Sequence, residues 1–129
     1  MDSRTAASAY KQASIENAPP LKIVHLLYEG ALKFLAAAEG CDPKADSQLF
    51  GNALSRVADI LGELRAALDH EVVPELSRDL EQLYLFAEAQ LVEARLQLDV
   101  EPLGAVRDVL EKLLDGWKQL EVELESPSR

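Results

Sequence analysis

Histidine is a residue type that binds metal ions and carries phosphoryl groups, and this sequence contains two, His25 and His70. In carboxylate-bridged di-iron bundles, Glu-x-x-His pairs on facing helices supply the metal ligands. The residue three positions before His25 is Lys22, and the residue three positions before His70 is Ala67. The spacing therefore excludes a di-iron site, and the sequence predicts no metal ligands.

A histidine phosphotransfer domain is also a four-helix bundle with a reactive helical histidine, so His25 is a candidate for this chemistry. Such domains have a Lys-Gly pair shortly after the histidine, and the lysine stabilises the phosphate. In this sequence Leu26-Leu27-Tyr28-Glu29-Gly30 follows His25, which places an acidic residue where that lysine would stand. A phosphotransfer-like function stays only as an alternative, and His25 is interpreted as an ordinary helix-surface residue.

The other reactive groups lack the neighbours that catalysis requires. Cys41, the single cysteine, follows a predicted helix end, where the helix dipole does not favour a thiolate. The carboxylates Glu121, Glu123 and Glu125 lie near another helix end, and no apolar pocket in the pattern would prepare them for acid-base catalysis. The glycines are single residues and form no phosphate-binding loop. The sequence predicts no catalytic residue, no cofactor and no enzymatic activity.

Charge and hydropathy narrow the classes of partner. The 129 residues include 13 basic and 23 acidic side chains, which gives a formal net charge of -10. A nucleic acid or an anionic membrane surface would be repelled by this charge, so neither is an expected partner. The first ten residues lack the apolar run of a secretory signal, and no segment reaches the roughly 20 apolar residues of a membrane span. We therefore expect a cytoplasmic protein that does not insert into membranes.

The composition favours helices. Hydrophobic residues make up 48% of the chain, but aromatic residues only 5%, and Leu and Ala supply most of the apolar mass. The punctuation by proline, glycine and aspartate divides the chain into a 1–18 N-terminal arm, a 19–125 bundle and a 126–129 C-terminal tail. The predicted helices begin near Pro19-Pro20, Asp42-Pro43, Pro74 and Leu103, and end near Glu39, His70, Leu98 and Leu124.

Apolar residues recur at steps of three and four in each helix, which predicts one buried face per helix. Four helices of matched length with short connections favour an all-α, antiparallel, up-down-up-down four-helix bundle. The predicted core faces are Val24, Leu27, Ala31, Phe34, Leu35 and Ala38; Phe50, Leu54, Val57, Leu61, Leu64 and Leu68; Leu76, Leu80, Leu83, Ala87, Leu91, Ala94 and Leu98; and Leu103, Val106, Leu110, Leu113, Trp117, Leu120 and Leu124.

More apolar residues remain than these core faces use. A bundle of this size cannot bury all of them, and monomers seldom expose large contiguous apolar patches without a use. We expect a groove between helices that accepts the apolar face of a partner segment, while homodimerisation through the same face, in a purely structural protein, stays an alternative. Single glycines inside the helices each cost roughly 1 kcal/mol relative to alanine, and room for close helix approach or for a ligand backbone would explain some of them.

Several separated motifs, in order along about residues 9–120, give the sequence a family resemblance. It resembles the flagellin-specific export chaperones of the bacterial flagellum, the FliS family. The motifs that carry the resemblance are Ala9-Tyr10-Lys11-Gln12, Ser14-Ile15-Glu16-Asn17-Ala18-Pro19-Pro20, Leu26-Leu27-Tyr28-Glu29-Gly30-Ala31-Leu32, Glu63-Leu64-Arg65-Ala66-Ala67-Leu68-Asp69, Leu80-Glu81-Gln82-Leu83-Tyr84, Leu91-Val92-Glu93-Ala94 and Trp117-Lys118-Gln119.

The resemblance implies a fold and an activity. The fold is an antiparallel four-helix bundle. The activity is to hold the disordered C-terminal segment of flagellin on outer grooves of the bundle, to prevent premature polymerisation in the cytoplasm, and to deliver flagellin to the flagellar export gate protein. The family's N-terminal arm lies over part of the groove in the free chaperone, which implies that Tyr10 and Ile15 anchor the arm here.

The flagellin-binding groove is expected on the second and third helices. Ile60, Ala67, Tyr84 and Val92 are apolar positions beside the core faces, so we predict that they line it. A second interpretation of Tyr84, and also of Tyr28, is a bundle tyrosine with a buried ring. Trp117 is expected first in the core or at an end layer.

Overall fold

The computed structural model describes residues 21–71 and 74–125. Within these ranges every regular element is a helix, and an all-α fold is confirmed. The described helices are α1 (Leu21–Glu39), α2 (Ser47–Ala66), α3 (Pro74–Gln97) and α4 (Leu103–Glu125). None of them carries an apolar stretch that would cross a membrane. The predicted arm of residues 1–18 and the tail of residues 126–129 lie outside the described residues.

Each helix runs antiparallel to the next. Gly30 of α1 lies beside Ile60 of α2, and Phe34 lies beside Arg56. Residue numbers therefore increase along α1 in the direction in which they decrease along α2. The same relation joins α1 to α4, where Tyr28 bonds Trp117 and Glu39 pairs with Arg107. The α2–α3 and α3–α4 pairs are also neighbours, whereas α1 and α3 lie across the diagonal. The predicted up-down-up-down bundle is confirmed.

The core lies along the shared axis of the four helices and is almost wholly apolar. Most of the predicted core residues are buried. In α1, α3 and α4, however, the neighbour of one predicted residue is buried in its place. Where two neighbouring residues are both apolar, the three-four spacing does not decide between them, and packing does. The buried members of these pairs are Tyr28 rather than Leu27, Tyr84 rather than Leu83, and Leu114 rather than Leu113.

Helix α2 is shorter at both ends than the predicted segment from Asp42 to His70. The Asp42 carboxylate accepts the N–H groups of Lys44 and Ala45, so it caps a separate turn before the helix. At the other end, the buried Ser77 hydroxyl donates to the Asp69 carbonyl at 3.0 Å. Local side-chain bonds therefore satisfy backbone groups that a longer helix would have used.

A polar cluster is buried in the centre of this apolar core. The hydroxyl groups of Tyr28 on α1 and Tyr84 on α3 form a hydrogen bond, and both side chains are fully buried. The indole Nε1–H of Trp117 on α4 donates to the Tyr28 Oη at 3.2 Å. Because a buried hydroxyl without a partner is costly, this cluster fixes the relative height and rotation of three helices.

We expect Tyr84→Phe to lower the free energy of unfolding by about 1 to 3 kcal/mol, since it removes a buried hydrogen bond and leaves the Tyr28 hydroxyl without its Tyr84 partner. Urea unfolding followed by circular dichroism measures the change. The double variant Tyr28→Phe/Tyr84→Phe is the control for coupling, and its loss should be smaller than the sum of the two single losses. Strictly additive losses would contradict the cross-core bond.

Candidate partner-binding groove

One face of α2 carries only small side chains at steps of four, three and four residues. Two contacts show that this face borders α3: Gly51 lies under Arg95, and Arg65, three residues after the end of the row, pairs with Glu88. Side chains at this spacing lie on one side of a helix. The row consists of Gly51, Ser55, Ala58 and Gly62.

The α3 side of the same boundary carries apolar residues at the same spacing. Leu85 and Val92 each stand three positions before a residue that contacts α2, namely Glu88 and Arg95, so they lie on the α2 side of α3 and farther from the core. All four members of this row are exposed, with Val92 at 58% and Leu96 at 74%. The row consists of Leu85, Ala89, Val92 and Leu96. These two rows together define the α2–α3 groove.

The glycines of the groove differ in what lies above them. A Cβ atom at Gly62 would meet no other atom within 4 Å, although the residue is half-buried. A Cβ atom at Gly51 would approach the Arg95 Nε to 2.7 Å, closer than real Cβ contacts occur. A side chain of the same molecule thus occupies the space above Gly51, whereas the space above Gly62 is open.

A bidentate ion pair crosses the boundary between α2 and α3. Arg65 donates from Nε to Glu88 Oε2 at 2.9 Å and from Nη2 to Glu88 Oε1 at 3.1 Å. The hydrogen bonding to the Glu88 carboxylate, followed by the negative charge of Glu88, raises the pKa of Arg65 above its ordinary value. Because a raised pKa retains the proton to higher pH, the guanidinium stays charged throughout the physiological range. The ion pair holds the two walls of the groove together.

The structure separates the residues that the sequence assigned to one groove. Val92 lies in the α2–α3 groove. Ile60 is half-buried and its Cδ1 lies against Gly30, so it faces α1, and Ala67, seven residues later, continues on that α1-facing side. Tyr84 is fully buried and lies in the core rather than on a groove surface, because its hydroxyl is bonded to Tyr28.

The predicted arm anchors Tyr10 and Ile15 lie outside the described residues. Three groove residues that were not singled out beforehand carried a signal in the sequence. Leu85 and Leu96 were surplus apolar residues, and Gly62 was a helix-interior glycine without a local reason. The sequence did not show that these three residues meet at the α2–α3 boundary.

The reactive residues considered first do not converge on a site. The His25 Nε2 lies 3.2 Å from the Glu29 Oε2 of the same helix. The Cys41 Sγ contacts the Ala37 carbonyl at 3.4 Å. Within residues 21–71 and 74–125, no three His, Cys, Asp or Glu side chains are placed to hold a metal ion. The feature of the described surface that calls for a function is therefore the α2–α3 groove.

Comparison with known proteins agrees with a binding protein of this kind. A family model described as flagellar protein FliS matches residues 3–124. The flagellar secretion chaperone FliSB of Pseudomonas aeruginosa is 35% identical over 116 residues, which cover 87% of this chain and 92% of the relative. The flagellar secretion chaperone FliS of Salmonella typhimurium is 30% identical over 125 residues, 93% of each chain. That of Bacillus subtilis is 30% identical over 112 residues, 87% of this chain and 83% of the relative.

Within residues 21–71 and 74–125 the chain is a helical bundle with an open apolar groove, a geometry that suits the binding of a partner segment. The match to the family model over nearly the whole length shows that the chain belongs to the FliS family. This is a family of chaperones and not of enzymes. The groove, rather than any reactive side chain, is the feature that a function must explain.

Proposed function

We propose that this protein binds the disordered C-terminal region of flagellin, prevents its premature polymerisation in the cytoplasm and delivers it to the flagellar export gate protein. The family and the names of the relatives support the general activity, since they are flagellar secretion chaperones. The observation that carries the binding mode is the α2–α3 groove, with open space over Gly62 beside exposed Val92 and Leu96.

The shape of the groove fits an amphipathic helix. Small residues along one wall allow a partner backbone to come close, while the row from Leu85 to Leu96 offers apolar contacts over three turns. A disordered client loses conformational entropy when it forms a helix, and burial of apolar surface offsets this loss at roughly 25 cal/mol per Å². Binding without turnover follows, because no covalent step is involved.

The sequence-based assignment of Ile60 and Ala67 extends the proposed contact region to the α1 side of α2. Exposed Ile23 and Leu26 of α1 add apolar surface to that region. Flagellin would then pass over α2, with one segment in the α2–α3 groove and another beside Ile60. Tyr10 and Ile15 are proposed as arm anchors that leave the binding surface when flagellin binds.

Gly62→Ala should have opposite effects on stability and on binding. In the free protein the new methyl group enters open space and removes a helix-interior glycine, so the free energy of unfolding should rise by about 0.5 to 1 kcal/mol. In the complex the methyl group stands where a client backbone approaches, so affinity for a flagellin C-terminal peptide should fall. Urea unfolding and isothermal titration calorimetry measure the two effects.

The matched control is Gly116→Ala. Gly116 is also a half-buried helical glycine whose Cβ would meet nothing within 4 Å, but it lies on α4, away from the groove. The control should raise stability and leave affinity unchanged. Unchanged affinity of Gly62→Ala would contradict the placement of flagellin over Gly62.

Co-purification tests the proposed activity itself. The chain should recover full-length flagellin from a cell extract and should fail to recover flagellin that lacks its C-terminal segment, because that segment supplies the apolar helix. Equal recovery of both forms, judged by gel and mass spectrometry, would contradict binding through the C-terminal region. Recovery of a second copy of the chain in place of flagellin would favour a purely structural dimer.

A further inference from the structure

Arg95 lies at one end of the α2–α3 groove, where its guanidinium occupies the space beside a glycine on α2. It belongs to the last turn of α3, and its side chain crosses to α2 at Gly51. A Cβ atom at position 51 would lie 2.7 Å from Nε, 3.2 Å from Cζ and 3.3 Å from Nη2. The guanidinium therefore rests directly on the α2 backbone, and Gly51 is the residue that gives it room.

The other arginines that cross between helices have partners. Arg65 binds Glu88, Arg107 binds Glu39 and Glu111, and Arg56 lies over the Phe34 ring. Arg95, by contrast, forms no hydrogen bond or ion pair with any residue in 21–71 or 74–125.

A local role in helix stability explains only part of this arrangement. A cation in the last turn of a helix interacts favourably with the helix dipole, and Arg95 has that position. That interaction does not require a glycine on the neighbouring helix, which costs roughly 1 kcal/mol in a helix interior. The contact with Gly51 instead places the guanidinium against α2, at one end of the groove whose α3 row includes exposed Val92 and Leu96.

We infer that Arg95 binds a carboxylate of the client segment that occupies the α2–α3 groove, an inference that rests on the proposed function. A guanidinium presents two parallel N–H donors to a carboxylate, and apolar neighbours strengthen the attraction by lowering the local dielectric constant. The carboxylate comes from an acidic side chain beside the apolar face of the client or from its chain terminus. In either case Arg95 fixes which end of the client helix lies over the start of α2.

The consequence is a directional groove. The apolar row accepts many amphipathic helices in either direction, whereas one placed cation at one end accepts only a helix that presents an anion there. If the anion is an acidic residue in the first turn of the client helix, the N-terminus of that helix lies at Arg95. If it is the chain terminus, the C-terminus lies there.

Calorimetry with the full chain and a flagellin C-terminal peptide tests the inference. Arg95→Gln should weaken binding about tenfold, as expected for a charge-assisted hydrogen bond, and the difference should shrink at high salt. Arg95→Lys should recover part of the affinity, since lysine keeps the charge but lacks the fork. Gly51→Ala should weaken binding although the net charge is unchanged, because the methyl group displaces the guanidinium.

Lys112→Gln is the matched control. It removes one positive charge from an exposed position on α4, away from both proposed contact regions, and it should leave affinity unchanged. Two modified peptides identify the carboxylate: one has an amidated C-terminus and the other has its acidic side chains replaced by amides. Arg95→Gln should have no further effect on the peptide that lacks the bound carboxylate.

Two results would overturn the inference while leaving the proposed function intact. The first is unchanged affinity of Arg95→Gln for the unmodified peptide. The second is an equal loss with Lys112→Gln, which would show a general charge effect. A lower stability of Arg95→Gln by urea unfolding, with unchanged affinity, would assign Arg95 to the helix dipole alone. Failure of the wild-type chain to bind the peptide would overturn the proposed function and this inference together.

Discussion

The architecture depends on one constraint, the need to satisfy two tyrosine hydroxyls that are buried on diagonally opposed helices. Tyr28 and Tyr84 meet each other, and Trp117 adds a donor from a third helix. An apolar core alone would tolerate small rotations and slips of each helix, because leucine contacts are not directional. A buried hydrogen bond is directional, so the orientation of α3 that turns Tyr84 inward is strongly favoured.

That orientation determines the outer surface. With Tyr84 inward, the next residue, Leu85, lies on the side of α3 that borders α2, and Val92 and Leu96 follow at helical spacing. The boundary between α2 and α3 is held by the bidentate pair of Arg65 and Glu88. A core interaction and an ion pair thus hold in place an apolar surface that makes little contribution of its own to folding, which is what a binding surface requires.

Ion pairs cross two of the helix boundaries, and one of these boundaries also carries an exposed apolar row. The α1–α4 boundary carries the pair of Arg107 with Glu39, and hydrogen bonding to the Glu39 carboxylate is the largest effect that raises the pKa of Arg107. The α2–α3 boundary carries both an ion pair and the exposed apolar row. The two glycines of the groove differ: Arg95 covers Gly51, whereas the space over Gly62 is open.

Much of the fold follows from local sequence rules, because helix periodicity and proline punctuation act within a few residues. The periodicity predicted the four helices and most core residues, and Trp117 was expected in the core, where it lies. It did not choose Tyr84 over Leu83, since both neighbours are apolar and the decision depends on a hydroxyl partner on another helix.

The groove was harder to predict for the same reason. Ile60 and Val92 are both apolar, but Ile60 lies at the α1–α2 boundary and Val92 at the α2–α3 boundary. Only contacts between helices distinguish the two positions. The arrangement of Arg95 on Gly51 also has no local signal, because the two residues are 44 positions apart in the sequence. The sequence predicts that an apolar groove exists, and the packing of the helices determines where it lies.

The central claim, that the C-terminal segment of flagellin occupies the α2–α3 groove, is tested most directly by methyl NMR of the labelled chain with a flagellin C-terminal peptide. The account predicts intermolecular nuclear Overhauser effects from the methyl groups of Ala58, Leu85, Val92 and Leu96. It predicts none from Val122, which is exposed to a similar extent on α4, at 63% against 58% for Val92. Contacts confined to Val122 or to the opposite side of α3 at Leu83 and Phe86, with none at Val92, would contradict the claim.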